Sequence, residues 1–340
     1  MATITGTQAD DFLSGTSQSD EIYGLGGNDT LYGLGGGDLL DSGLGDDAVH
    51  GGDGDDLILG ADGNDFLTGD AGADHVYGGS GDDSIFAGAD DDGADFLFGG
   101  SGNDVIGGGA GNDTIGGDDG VDTLFGGDGD DVVYTFDPAQ LNSQLGSEDG
   151  GTVWAGAGND TVLGDAGDDV IGGGTGNDTV LASDGDNTIY LSTGTDVGIG
   201  GAGDDTIYGG TGADTIVGYA LTPADAGNDT LFGGEGNDAI VAGAGDDHLY
   251  AGQGDDTLIG GDGDDVFFFN DATGHNVIGD FNNGPAAAAD EHDLIDLSSF
   301  GDIDFSDLSG NTGAITITGV DDFSFDVGAA VVTADDFIFA

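Results

Sequence analysis

The sequence predicts an all-β fold: a parallel roll of short strands in two blocks, closed by a β-rich C-terminal segment. Three observations predict it. An aspartate recurs every nine residues and an aliphatic residue follows it by two, as in Gly51-Gly52-Asp53-Gly54-Asp55-Asp56-Leu57-Ile58-Leu59. A short fixed period means one structural unit stacked many times. The 76 glycines follow the same period, so turns recur at fixed places rather than marking a disordered chain. Finally, the aliphatic residue is flanked by threonine, tyrosine and similar residues, the pattern of a three-residue strand whose centre points inward.

The register can be followed along the chain. The first roll block is assigned to residues 1–134, with 14 repeats from Gly6 to Tyr134, one of them stretched at Ala87–Phe98. Residues 135–154 form an insert. Asp137 as N-cap, Pro138 in the first turn and Gly146 as the stop predict a short helix there. A degenerate repeat follows at Gly146–Trp154, with Gly151 in the place of the aspartate. The second roll block is 155–268, with 12 repeats and one enlargement at Gly218–Phe232. From Phe269 to Ala340 the period is lost, and this tail is read as a capping and secretion-signal region.

Two repeats make one coil with a strand on each face. The aliphatic side chains then stack between two parallel sheets in a thin core. Such a core buries too little apolar surface to offset the ordering of the chain.

Charge makes the deficit worse. The chain carries 69 acids, no lysine or arginine and five histidines, for a formal charge of −69. Self-repulsion on this scale opposes any compact state, so positive charge must come from outside. Nucleic acid and anionic membranes are excluded as electrostatic partners, because both are bound through basic patches. No cysteine is present, which excludes disulfides and zinc-thiolate sites. No apolar run reaches the roughly 20 residues of a transmembrane segment. The opening Met1-Ala2-Thr3-Ile4-Thr5-Gly6 lacks the basic and apolar regions of a conventional signal peptide.

Of the 69 acids, 65 are aspartates. Aspartate is short enough to reach an ion held against its own backbone, whereas glutamate overshoots a tight loop. The first six positions of the repeat approximate Gly-Gly-x-Gly-x-Asp, a loop whose glycines let carbonyl oxygens turn inward. Calcium takes six to eight oxygens at about 2.3–2.6 Å in flexible geometry, whereas magnesium demands a tighter octahedral shell. The candidate ligands are the sixth-position aspartates. In the first block these are Asp11, Asp20, Asp29, Asp38, Asp47, Asp56, Asp65, Asp74, Asp83, Asp95, Asp104, Asp113, Asp122 and Asp131. In the second they are Asp160, Asp169, Asp178, Asp196, Asp205, Asp214, Asp229, Asp238, Asp247, Asp256 and Asp265, with Asn187 taking the place once. Loops one coil apart supply paired carboxylates, and the stacking gives roughly 20 calcium ions. Sites touching Asn187, Gly151 or the stretched loops are expected to be defective.

These repeats resemble the nonapeptides of the RTX (repeats-in-toxin) family, Gly-Gly-x-Gly-x-Asp-x-aliphatic-x. The resemblance implies a calcium-bound parallel β-roll, in which each ion takes backbone carbonyls plus the aspartates of loops n and n+2. The segments Asn276–Phe281 and Asp293–Ser298 resemble the part that closes the roll in serralysin-type proteases. The ending Asp335–Ala340 resembles the uncleaved signal of type I secretion substrates, which implies an extracellular or cell-surface location. No His-Glu-x-x-His helix occurs, so the resemblance does not extend to protease activity.

His50, His75 and His248 fall on strand positions and read as solvent-facing, since imidazole is a poor calcium ligand. His275 and His292, near Asp271, Asp290 and Asp293, read as turn residues of the tail. Aromatic residues at the ninth position, among them Tyr32, Tyr77, Tyr190, Tyr208 and Tyr250, point outward and offer a lateral contact face. The expected function is that of a secreted calcium-folded structural protein, not an enzyme. It self-assembles as a homo-oligomer or polymer in a surface layer, filament or matrix, helped by an N-terminal coil left open to pairing. The alternative is a calcium-dependent adhesin using the inserts 135–145 and 219–226, with a cell-surface glycan as ligand.

Overall fold

The computed structural model describes residues 1–88, 92–136, 150–219, 227–269, 274–281, 292–301, 304, 306, 308–310, 314–317, 323–328, 330 and 332–339. The helix expected after Asp137 and most of both inserts lie outside these residues. The chain is an all-β parallel β-solenoid, and its described residues divide into two compact units, Met1–Gly174 and Thr175–Ala340.

In the first unit each strand pairs in parallel with the second strand after it. Glu21–Gly26 pairs with Leu39–Leu44, then Leu57–Asp62 and His75–Ser80. On the opposite face Thr30–Gly35 pairs with Ala48–Asp53 and then Phe66–Ala71. Register is kept by one aliphatic residue per strand. Ile22 faces Leu40, Leu40 faces Ile58 and Ile58 faces Val76, all fully buried. The second unit follows the same rule through Thr206–Thr211, Thr230–Glu235 and His248–Gln253.

Most strands are six residues long rather than the expected three. They run from the seventh position of one repeat to the third of the next, with the eighth and first positions both buried. The extension follows from glycine at the first position. With no side chain to place, the backbone stays in the ladder while it begins to turn. The second position then sits in the left-handed region in nearly every loop, as at Gly52 (φ 111°) and Gly234 (φ 110°). The roll also starts earlier than the repeats indicate. Thr3–Thr5 is already a strand, paired with Glu21–Gly26.

Additional residues do not disturb the register. The stretched repeat leaves Phe96 facing His75, and the insert after Thr135 leaves Thr152 facing Thr123. A gap in the core is filled from a neighbouring position. Gly198 stands where the repeat requires an aliphatic residue, and a Cβ there would lie 3.0 Å from the Leu191 side chain. Leu191 occupies a first position normally held by glycine or alanine and is fully buried. Leu191→Ala is therefore expected to lower stability by about 2–5 kcal/mol. Urea unfolding in saturating calcium measures this; an unchanged midpoint would show that the space can collapse.

The ladder continues beyond Phe268. Gly274–Ile278 pairs with Thr257–Asp262, and Leu294–Asp296 pairs with Val266–Phe268. Phe323–Asp326 joins the first of these sheets in parallel and also pairs antiparallel with Ala314–Ile317. Phe337–Ile338, inside the segment resembling a secretion signal, pairs with Leu294–Asp296. Buried Phe267, Phe269, Phe281 and Phe325 form an aromatic core at this end, with Phe269 stacked on Phe325 at 5.5 Å.

Candidate calcium-binding loops

The turn between consecutive strands places the sixth-position aspartate at the edge of the core. Every sixth-position aspartate of the two roll blocks is buried except Asp11. One carboxylate oxygen, Oδ1, has a fixed task. It accepts a hydrogen bond from the backbone N–H of the sixth-position residue one coil earlier. Asp20 donates to Asp38, Asp38 to Asp56 and Asp56 to Asp74, at 2.6–2.8 Å. Asp29, Asp47, Asp65 and Asp83 form the same chain on the other side. Inserted residues do not break it: Asp131 donates to Asp160 across the long insert, and Asp205 to Asp229 across the enlarged repeat.

The other oxygen, Oδ2, is buried without a hydrogen-bond partner at Asp29, Asp38, Asp47, Asp56, Asp65, Asp83, Asp104 and Asp131. The same is true at Asp196, Asp214, Asp238, Asp247, Asp256 and Asp265. An isolated buried carboxylate oxygen is expensive, and a whole row of them requires a partner. The first-position glycine shows where that partner would sit. A Cβ on Gly51 would meet Asp56 Oδ2 at 2.4 Å and the Gly69 carbonyl oxygen at 2.5 Å. A Cβ on Gly60 would meet Asp65 Oδ2 and the Gly78 carbonyl oxygen, each at 2.5 Å. Carboxylate and carbonyl oxygens thus converge over a point that only glycine leaves open.

The donor set is hard oxygen throughout, as calcium prefers. Among the described residues no three acidic, histidine or cysteine side chains form a ligand cluster, so most of a shell would be main-chain oxygen. A calcium ion held in such a loop would supply the positive charge that the chain lacks and would tie adjacent coils together.

The electrostatics agree. Burial pushes the carboxyls of Asp56, Asp83, Asp122, Asp131, Asp238 and Asp265 up to about 7, and that of Asp247 to about 8. Hydrogen bonds from the ladder oppose this shift, and neighbouring aspartates reinforce it. Without a cation these groups prefer to be neutral.

Three sixth positions differ. Asp11 and Asp20 belong to loops with threonine at the second position and no glycine at the fourth. The Thr7 N–H and hydroxyl both donate to Asp11 Oδ2, and Thr16 does the same for Asp20. These two carboxylates are satisfied by the protein itself. Asn187 keeps its ladder N–H bond to Asp205, while its amide donates to the Gly185 carbonyl.

Two aspartate-like sites in the tail were not legible from the repeat. The Asp256 N–H donates to Asn276 and the Asp265 N–H to Asp293, so these residues take the sixth position after spacers of 20 and 28 residues. A second ladder, at the fifth position, also escaped the sequence reading. It runs in the opposite sense, each residue's N–H donating to the side chain one coil earlier. Asn28 donates to Asp10, Asp46 to Asn28, Asn64 to Asp46 and Asp82 to Asn64. The alternation of Asp and Asn keeps like charges from stacking coil upon coil, and that alternation was the available signal.

The outward aromatics stack on one another. In the second unit Tyr190, Tyr208, Phe232, Tyr250 and Phe268 form one row, with successive centroids 5.0, 4.7, 4.3 and 4.2 Å apart. Their faces are covered by neighbours and their edges meet solvent. Beside the row runs a shallow groove floored by Gly210, Gly234 and Gly252. The histidines join similar contacts: His50 stacks on Tyr32 and His75 on Phe96. His275 bonds Ser324 at 2.7 Å, and His292 lies 3.5 Å from Asp336.

The family model of the RTX calcium-binding nonapeptide repeat (4 copies) matches residues 5–40, 32–67, 59–93, 90–115, 116–137, 145–180, 172–205, 192–220, 224–249 and 241–271. No curated protein matches the chain. Among solved structures, a hyperactive, Ca2+-dependent, beta-helical antifreeze protein from an Antarctic bacterium is similar at 20% identity and a TM-score of 0.41. That likeness covers 77% of this chain and 85% of that one.

Proposed function

The chain belongs to the RTX calcium-binding nonapeptide-repeat family, and from that premise we propose that it is a secreted structural protein that folds on calcium and then self-assembles outside the cell. The observation that carries the reading is the row of buried, unpartnered Oδ2 atoms above first-position glycines. The main investment of this sequence is an ion-dependent scaffold, and the site residues are the sixth-position aspartates from Asp29 onward. Ion affinities of extracellular modules, about 10⁻⁴–10⁻³ M, keep the chain unfolded at cytosolic calcium and fold it on export. Type I secretion suits such a chain. No helix among the described residues is long and apolar enough to cross a membrane.

Assembly is supported by the aromatic row from Tyr190 to Phe268 and its glycine-floored groove. A half-exposed apolar ridge beside a trough is self-complementary, and isologous contacts are built from such pairs. Calcium between copies would also offset the repulsion of chains carrying −69 each. No catalytic role is proposed. Electron microscopy with and without millimolar calcium tests the assembly: ordered layers or filaments are expected only with calcium. Particles that stay monomeric at every calcium concentration would rule assembly out and leave the calcium-folded scaffold standing.

A further inference from the structure

Among the described strand pairings, tyrosine faces tyrosine at one place. In the second unit Thr188–Thr193 and Thr206–Thr211 pair in parallel, and their register sets Tyr190 beside Tyr208. The two phenol rings lie 5.0 Å apart between centroids and within 3° of parallel. Other tyrosines face different residues. Tyr32 lies between Ser14 and His50, and Tyr250 between Phe232 and Phe268.

The arrangement follows from the repeat. Both strands open Thr-Ile-Tyr, and the two isoleucines, Ile189 and Ile207, face each other fully buried. Side chains alternate along a strand, so burying isoleucine turns the next tyrosine outward. Tyr190 is 39% exposed and Tyr208 is 36% exposed. The rings are parallel and one strand spacing apart, about 4.8 Å. Their ortho carbons, next to the hydroxyl-bearing carbon, are therefore close neighbours at an edge that solvent reaches. On the far side Phe232 stacks on Tyr208 at 4.7 Å and separates the pair from Tyr250. Phenylalanine has no hydroxyl and forms no phenoxyl radical, so the reactive pair is these two rings.

The rest of the composition narrows the chemistry. The chain has no cysteine and no lysine, which leaves neither a disulfide nor a lysine isopeptide bond to tie one coil to the next. It has one methionine and one tryptophan, so phenols are the main oxidisable side chains.

We propose that Tyr190 and Tyr208 form an oxidative cross-linking site, at which a dityrosine bond joins two adjacent coils of the second unit. The co-reactant is a one-electron oxidant, such as a haem peroxidase using hydrogen peroxide. Each phenol gives up one electron and its hydroxyl proton. The two phenoxyl radicals then form one carbon–carbon bond between ortho carbons. The hydrogens on those carbons leave as protons while the two oxygens are reprotonated, which restores both aromatic rings. The pair has lost two hydrogens in all, and one hydrogen peroxide is reduced to two waters. The bond lies within one chain, so it goes beyond contacts between copies and does not depend on them. It spans the 18 residues of one coil, and it adds a covalent tie that calcium removal does not break.

The test uses the full chain, dilute and in saturating calcium, treated with a haem peroxidase and hydrogen peroxide. After quenching and unfolding in EGTA, an aspartate-directed protease releases the peptides for mass spectrometry. A linked pair carrying Tyr190 and Tyr208, lighter than the sum of its peptides by two hydrogens, is expected from the monomer fraction. Tyr208→Phe keeps the stack, as Phe232 does one coil on, and should abolish that pair. Tyr23→Phe, in the first unit, should leave its yield unchanged. In a chain expanded by EGTA before oxidation the yield should fall about tenfold, because nothing then holds the rings together. Dityrosine spread evenly over other tyrosines, found between chains alone, or formed as readily in the expanded chain would overturn the inference. So would folded, calcium-loaded protein that yields none.

Discussion

Chelation of calcium at neutral pH is expected to convert the folded protein to an expanded coil, with loss of the β-sheet circular dichroism signal and a large increase in hydrodynamic radius. Most repeats contribute one fully buried aliphatic side chain, worth about 1.5–3 kcal/mol. That contribution must order nine residues and hold together a chain with 69 acids and no lysine or arginine. The buried Oδ2 atoms of Asp29, Asp56, Asp83 and Asp131 make the metal-free roll worse than merely unsupported, because each is a desolvated charge with no hydrogen bond. Binding free energy is therefore folding free energy here. Sodium at equal ionic strength should not restore the signal, since it screens exposed charge without bridging coils. A protein that keeps its size and its spectrum after exhaustive EGTA dialysis contradicts this account at its root.

The second large effect concerns pH. Burial raises the metal-free carboxyls of Asp56, Asp83, Asp122 and Asp265 from 3.8 to about 7, and that of Asp247 to about 8. A raised folded-state pKa favours the folded chain when the group is protonated. In the absence of calcium that contribution is fully present below about pH 4 and is lost as pH rises through about 7. The chelated protein should therefore recover β structure on acidification and lose it again towards neutrality. With calcium present the order reverses, because the ion needs the ionised form. Binding should release protons, and the calcium midpoint should rise as pH falls below about 7, by roughly tenfold per pH unit for each proton displaced. Paired titrations by circular dichroism and proton release decide the matter. A calcium midpoint independent of pH between about 5 and 8 would show that the carboxylates are not the ligands.

Much of this was legible in the sequence because the repeat is local. Asp56, Ile58 and Gly51 lie within eight residues, and each coil repeats the same instruction. Counting alone therefore finds the core row and the ligand row. Features that depend on residues 18 or more apart were harder to see. Leu191 reads as a departure from the first-position glycine until the space above Gly198 is known. Asn276 and Asp293 look aperiodic because the chain loops out before rejoining the ladder. Asp11 and Asp20 read like every other sixth position, yet a threonine four residues before each supplies its hydrogen bonds.

The sequence by itself determined the parallel roll, its thin aliphatic core and its need for a divalent cation, because period, side-chain reach and net charge are properties of the chain. Only the tertiary structure decided which oxygens stand unpaired, where the ladder outlasts the repeat and which side chains mend its gaps. Those depend on what one coil presents to the next, and stacking brings together residues that no nine-residue window contains.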